Sequence, residues 1–185
     1  MKIKGNVVVL TNGKLDAKSA KTAHGLIRGS KRFNIVAVID SSFTNKFVHI
    51  DKNGKIDLLD KKSDIPIFND MTSFLQSSVN VDFCIIGVAS AGGLLPDEMR
   101  EDVILSLKNN ISIINGLHSI LNEDEELIKV LRQNNTKIYD IRASRPRNEL
   151  SFWSGKIHEV NVPKIVVLGT DCGLSLIHIS EPTRL

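Results

Sequence analysis

The strongest constraint on this chain is a regular change of period along it. Short apolar runs of strand length alternate with stretches in which apolar residues return every three or four positions. Unbroken or alternating apolarity suits a strand, and the three-to-four spacing suits one face of a helix. The decisive run is V-D-F-C-I-I-G-V, Val81 to Val88, nearly continuous in apolar residues. A strand needs that only when both of its faces are covered. Covered strands separated by helices are joined by crossovers and run parallel. The expected fold class is α/β, a mostly parallel sheet with helices on both faces.

The pattern places strands at Val7–Leu10, Ile35–Ile39, Pro66–Phe68, Val81–Val88, Ile111–Ile114 and Lys137–Ile141. Helices are expected over Lys18–Arg28, with Ala20, Ala23 and Ile27 on one face and Gly29 as the stop, and around Asp70–Gln76. A third, Asp97–Asn109, has acids in its first turn and an inward face of Met99, Val103 and Leu107. Asn122 and Glu125 read as a capping box for a fourth helix ending at Gln133, with Leu127, Val130 and Leu131 inward. Asn53-Gly54, flanked by Val48, Ile50, Ile56 and Leu58, reads as the turn of a small hairpin. Residues 1–143 then form one domain, 144–162 a linker with little periodicity, and 163–173 the first strand and loop of a second domain.

Composition narrows the class. Hydrophobic residues make up 42% and charged residues 24% of 185 positions, an ordinary balance for a globular protein. The four-residue apolar run near the basic N-terminus is too short for a signal-peptide core, and no stretch is long enough for a bilayer span, so no membrane partner is expected. The two cysteines, Cys84 and Cys172, suggest neither a disulfide framework nor a zinc site; a cytoplasmic location and no metal are expected. The net charge of +3 conceals a basic front: residues 1–64 carry thirteen Lys/Arg against six Asp/Glu. That excess could draw anionic ligands, or form a solvated lysine-rich surface, the reading preferred here. Nucleic-acid binding would want basic residues interleaved with aromatic platforms, and aromatics are only 5% of the chain, so no nucleic-acid partner is expected.

An open parallel sheet binds ligands outside the carboxyl ends of its strands, which directs attention to the strand-end loops. The first, T-N-G-K-L-D-A-K, holds one glycine, Gly13, where a dinucleotide fingerprint would have three. Asp40, ending the second strand, could hold a ribose hydroxyl, and is equally well placed as a turn or cap residue. The second loop, G-V-A-S-A-G-G-L-L-P, offers Ser90, Ala91, Gly92 and Gly93 before a helix N-terminus, an arrangement suited to a carboxylate or phosphate. The third, N-G-L-H, carries His118, a candidate general base; His24, on the first helix, is the other. Either histidine could instead be a packed or capping residue. Arg142 and Arg145, after Asp140, could clamp an anion or lie as solvated linker charges, and the latter is preferred.

The fourth loop, G-T-D-C-G, follows an apolar strand and contains Gly169, Thr170 and Asp171. It resembles the opening of the G-T-D-x-x-x-G-K phosphate loop of dethiobiotin synthetase, where ATP or GTP would bind, but positions 175 and 176 hold Ser175 and Leu176 instead of Gly-Lys. Leu174 to Leu185 matches a translated sequencing adaptor over eleven positions and is set aside from fold reasoning. The chain is therefore expected to be truncated before a second, P-loop domain.

Six segments together resemble one family in order and spacing: K-T-A-H-G-L-I-R from Lys21, V-A-V-I-D-S from Val36, I-G-V-A-S-A-G-G-L-L-P from Ile86, N-G-L-H from Asn115, D-I-R from Asp140 and V-L-G-T-D-C from Val167. This is the DgcN-like family, long described as of unknown function, which includes a D-glutamate N-acetyltransferase. The resemblance implies a Rossmann-like, doubly wound N-terminal domain followed by a P-loop domain. It also implies an enzyme acting on a small amino acid, with acetyl-CoA as acyl donor in the acetyltransferase members. The fragment itself is expected to be inactive, and a homo-oligomer is left open. The alternative is a nucleotide-binding module of a kinase-, ligase- or dehydratase-like protein.

Overall fold

The computed structural model describes residues 3–43, 46–51, 55–59, 64–145 and 147–163. In chain order the strands are β1 (Gly5–Leu10), β2 (Phe33–Ile39), β3 (Phe47–Ile50), β4 (Ile56–Leu59), β5 (Ile65–Phe68), β6 (Phe83–Ile86), β7 (Ser112–Asn115) and β8 (Ile138–Asp140). The helices are α1 (Lys21–Arg28), α2 (Met71–Gln76), α3 (Asp97–Lys108) and α4 (Glu125–Gln133). The strands form one sheet in the order β4-β3-β5-β2-β1-β6-β7-β8. Every pair from β5 to β8 is parallel, and only the β3–β4 hairpin and its join to β5 are antiparallel.

Counting only the six parallel strands, the order is 3-2-1-4-5-6, that of a doubly wound Rossmann-like sheet, with its direction reversing between β1 and β6. The right-handedness of the crossovers decides which face each helix covers. Moving from β1 to β2 puts α1 on one face, where Ala23 lies over Val9 and Gly87. Moving back across the sheet puts α2, α3 and α4 on the other, each packed on the next. Val9 pairs with Ile85, so Cys84 points to the α3 side, and it is fully buried there. Burial pushes its thiol up to about 12, against a smaller opposing pull from Ser106.

The core is the expected one. Val7–Leu10, Ala37–Ile39 and Cys84–Ile86 line the sheet, and Met99, Val103, Leu107 and Leu127 cover it from α3 and α4. Asn53-Gly54 lies outside the described residues, but the strands beside it pair as a hairpin should, with Ile50 opposite Ile56 and Val48 opposite Leu58. At two helix starts local chemistry is plain: the Asp70 side chain accepts from the Ser73 amide at 2.7 Å, and Asp124 caps α4 through the amides of Glu126 and Leu127, both at 3.1 Å.

The second cap corrects the sequence reading. Asn122 is not the N-cap of α4; its side chain turns to Asp140 and the Ile138 carbonyl, and the acid two residues later takes the cap. Asp124 is further held by Arg100 of α3, whose Nη2 donates to both its carboxylate oxygens at 2.7 and 2.8 Å, while Nε donates to Glu126 at 2.7 Å. Burial alone would raise the Asp124 carboxyl, but Arg100 and the two amides together hold it below the usual carboxylate range.

The chain divides into two units after Ser144. In the second, the described residues form two single turns, Arg147–Glu149 and Lys156–His158, and the Trp153 and His158 rings meet edge to face at 5.6 Å.

Candidate functional site

The carboxyl ends of β6, β7 and β8 enclose an open cleft of about 480 Å³, lined by Ala89, Ser90, Gly92, Gly93, Gly116, Leu117, His118 and Arg142. It has the size of a small-ligand site. Three strand-end loops that lie far apart in sequence meet here: the glycine-rich turn after β6, N-G-L-H after β7, and D-I-R at the end of β8.

The glycine turn is shaped by its backbone. Gly92 and Gly93 sit at φ +66° and +69°, in the left-handed region that glycine enters without penalty. Gly93 has a second reason to be glycine: a Cβ there would lie 2.4 Å from His118 Cδ2 and 2.7 Å from His118 Cβ. The imidazole therefore rests directly on Gly93, and the Gly93 carbonyl accepts from the amides of His118 and Ser119 at 2.9 and 3.0 Å. Ser90 donates its hydroxyl proton to the Leu94 carbonyl, which leaves only oxygen lone pairs to face the cleft. Ala91 lies in the same turn.

The His118 loop is fastened from below by two side chains that close adjacent strands. Asn115, fully buried at the end of β7, accepts from the Leu117 amide at 2.9 Å and donates to the Ser119 carbonyl at 2.8 Å. Asp140, at the end of β8, accepts from Asn115 Nδ2, from Asn122 Nδ2, and from the Leu121 and Asn122 amides, at 2.7–3.1 Å. These two residues are the part of the site that sequence reasoning did not weigh as supports. The available signal was a polar residue ending each of two neighbouring apolar strands.

His118, Arg142, Ser90, Gly92 and Gly93 thus share one cleft. His24 and Asp40 do not line it. His24 donates Nε2–H to the Leu15 carbonyl at 2.5 Å. Asp40 is fully buried, and its oxygens accept from Thr11 Oγ1 at 2.7 Å, the Leu15 amide at 3.0 Å and the Ser42 amide at 3.0 Å. Both residues bind the β1–α1 loop into the protein. That loop carries the single Gly13 at φ +72° and a fully buried Leu15, and it is folded onto the end of β2 where a dinucleotide would otherwise lie. Gly169, Thr170 and Asp171 lie outside the described residues.

Electrostatically the cleft offers one guanidinium and one imidazole, a set that matches a carboxylate and an amine. The diphosphate of CoA or of a nucleotide would want more cations or a run of free amides, and the described residues of the cleft do not supply them. Among the described residues no group of acids, histidines and cysteines could hold a metal ion, and no helix is long and apolar enough to cross a membrane.

The family described as "Domain of unknown function (DUF1611_N) Rossmann-like domain" matches residues 51–144. A D-glutamate N-acetyltransferase from Pseudoalteromonas sp. is 27% identical over 96 residues, covering 52% of this chain and 28% of that protein. The crystal structure of a DUF1611 family protein from Anabaena variabilis ATCC 29413 superposes with a TM-score of 0.64 at 26% identity, over 84% of this chain and 42% of that one. The chain therefore spans less than half the length of either relative.

Proposed function

The chain belongs to the DUF1611_N Rossmann-like family, and from that premise we propose that it supplies the amino-acid-binding part of an N-acetyltransferase acting on D-glutamate or a related amino acid. The observation that carries the reading is the convergence of His118, Arg142 and the glycine turn on one cleft. The named activity of the Pseudoalteromonas relative supports it. In this reading Arg142 takes a substrate carboxylate and His118 removes a proton from the substrate ammonium. The freed amine attacks the acetyl carbonyl carbon, the C–S bond breaks, and CoA leaves as the thiolate, which takes up the proton lost from the new amide nitrogen. Acetyl-CoA enters as a substrate held mainly by residues outside this cleft, with ATP or GTP the other cofactor to be tried. The protein works in the cytoplasm.

The test is release of free CoA thiol from acetyl-CoA on adding D-glutamate to the full-length protein. Release is expected, with a loss of about a hundredfold or more in His118→Asn. No release with any amino acid would overturn the proposal. The strand order favours one second reading, a nucleotide-binding module. Saturable binding of NAD or ATP by this chain, without thiol release, would establish that reading instead.

A further inference from the structure

We infer that Asp140 is a positioning residue whose carboxylate sets the loop that carries His118 and whose backbone carbonyl starts the turn that carries Arg142. The inference rests on the proposed function only for the chemical use made of those two side chains.

Four donors converge on Asp140. Oδ1 takes Asn115 Nδ2 at 2.7 Å and the Leu121 amide at 3.1 Å; Oδ2 takes the Asn122 amide at 2.9 Å and Asn122 Nδ2 at 2.7 Å. An ionised carboxylate has about four lone-pair sites, so none is left for substrate, and Asp140 is no candidate for the catalytic base. Asn115, oriented by Asp140 through Nδ2, presents Oδ1 to the Leu117 amide. The His118 and Ser119 amides then reach the Gly93 carbonyl. The turn is thus held at residues 117, 118, 119, 121 and 122, with Asp140 accepting at its far end and steering Asn115 at its near end.

The same residue starts the turn that carries Arg142. The Ala143 amide donates to the Asp140 carbonyl at 3.2 Å, and the Ile141 amide donates to the Asn115 carbonyl at 2.9 Å. Asp140 and Asn115 therefore tie the ends of β7 and β8 together in both directions. An acid is required because all four partners are donors. In Asp140→Asn, one oxygen becomes an NH₂ group facing two N–H donors.

The experiment is read on the full chain without substrate, so it stands whether or not acetyl transfer is found. Backbone amide exchange and the chemical shifts of the His118 ring at fixed pH are followed by NMR in the parent chain, Asp140→Asn, Asn122→Ala and Asp82→Asn. Asn122→Ala removes one donor side chain and leaves the acid intact, and carries the decision should Asp140→Asn not fold. Asp82→Asn disturbs a carboxylate at the opposite edge of the sheet, where it accepts from the Asn6 amide at 2.8 Å.

The amides of His118 and Ser119, which do not touch Asp140, are expected to exchange about tenfold faster or more in Asp140→Asn, and less so in Asn122→Ala. The His118 ring resonances are expected to shift at fixed pH in Asp140→Asn, because the loop that seats the imidazole on Gly93 is displaced. Unchanged His118 and Ser119 exchange and unchanged His118 ring resonances, with only Leu121 and Asn122 made labile, would reduce Asp140 to a local cap and overturn the inference. The same changes in Asp82→Asn would overturn it too, by showing a global loss of stability.

Discussion

Replacing Gly93 by alanine separates two costs that usually arrive together. The first is conformational: at φ +69° an L-residue suffers the left-handed penalty, about 1–2 kcal/mol. The second is steric. A Cβ at Gly93 would lie 2.4, 2.7 and 2.8 Å from His118 Cδ2, Cβ and Cγ, distances that no relaxed packing allows. The ring could rotate away from the first contact, but His118 Cβ is fixed by its own backbone, whose amide is bonded to the Gly93 carbonyl at 2.9 Å. Relieving that clash means moving the turn, an overpacking cost of about 1–3 kcal/mol. Gly93→Ala should therefore destabilise by about 2–5 kcal/mol. Gly92→Ala is the internal reference, at φ +66° with its nearest neighbour, Leu94 Cγ, 3.9 Å away. It carries the conformational penalty alone, about 1–2 kcal/mol. Urea unfolding of both, at constant m-value, measures the difference. Equal losses within about 0.5 kcal/mol would refute the packing of His118 on Gly93.

Three further outcomes concern positions away from the cleft. Gly25, exposed in the middle of α1 and with nothing within 4 Å of where a Cβ would lie, should accept alanine with a gain of about 0.5–1 kcal/mol by urea unfolding. Asp124→Ala should cost about 1–2 kcal/mol for the lost cap, with little more for the partly exposed Arg100 pair. Because the Asp124 carboxyl is held low in the fold, that contribution is complete above the ordinary carboxylate range and disappears as pH falls through the folded value, so the two proteins should converge in acid. Asp102 behaves in the opposite sense. Burial raises it, with smaller contributions from Asp70 and Glu101, against the Met71 amide that donates to it at 3.0 Å. Protonation then favours the fold, and stability due to Asp102 grows as pH falls from neutral through its raised folded value. Asp102→Asn should be at least as stable as the parent near neutrality and lose that advantage in acid; a variant less stable at neutral pH would show that the charge is needed.

What could be read from the sequence was whatever depends on burial. The Val81–Val88 run announced a covered central strand, and the i, i+4 spacing of Met99, Val103 and Leu107 gave the inward face of α3, because apolar periodicity is written residue by residue. The hairpin was equally legible from Asn53-Gly54 and its flanks. Polar partnerships were not. Asn122 fits a cap by local spacing, yet its partner Asp140 is eighteen residues away, and only the closed sheet brings them within 2.7 Å. His24 and His118 both come after strand ends in the order of the chain. One is spent on a carbonyl and the other faces a cleft, a difference made by Leu15 and Gly93, which no spacing rule connects to them.

The position of the cleft results from how the switch point is closed. In a 3-2-1-4-5-6 sheet the natural crevice lies between β1 and β6, where a helix N-terminus and a glycine turn usually hold phosphate. Here the approach of α1 to β6 uses up that opening. The Ala23 amide donates to the Gly87 carbonyl at 3.0 Å, and the Ala89 amide to the Ser19 carbonyl at 2.8 Å. A Cβ at Gly87 would lie 2.6 Å from Val9 Cγ1 and 2.9 Å from Ala23 Cβ, so these two side chains already fill the space above Gly87 and leave no room for a ligand. On the β2 side, Asp40 seals the loop through Thr11 and Leu15. A ligand at the usual place would have to break these bonds and leave buried partners unsatisfied. One strand further on the balance reverses: the turn after β7 is supported from beneath by Asn115 and Asp140, the turn after β6 is joined to it through the Gly93 carbonyl, and a cleft stays open beside them. The fold thus keeps its Rossmann-like order while shifting the usable edge from β1 toward β6, β7 and β8, where His118 and Arg142 lie.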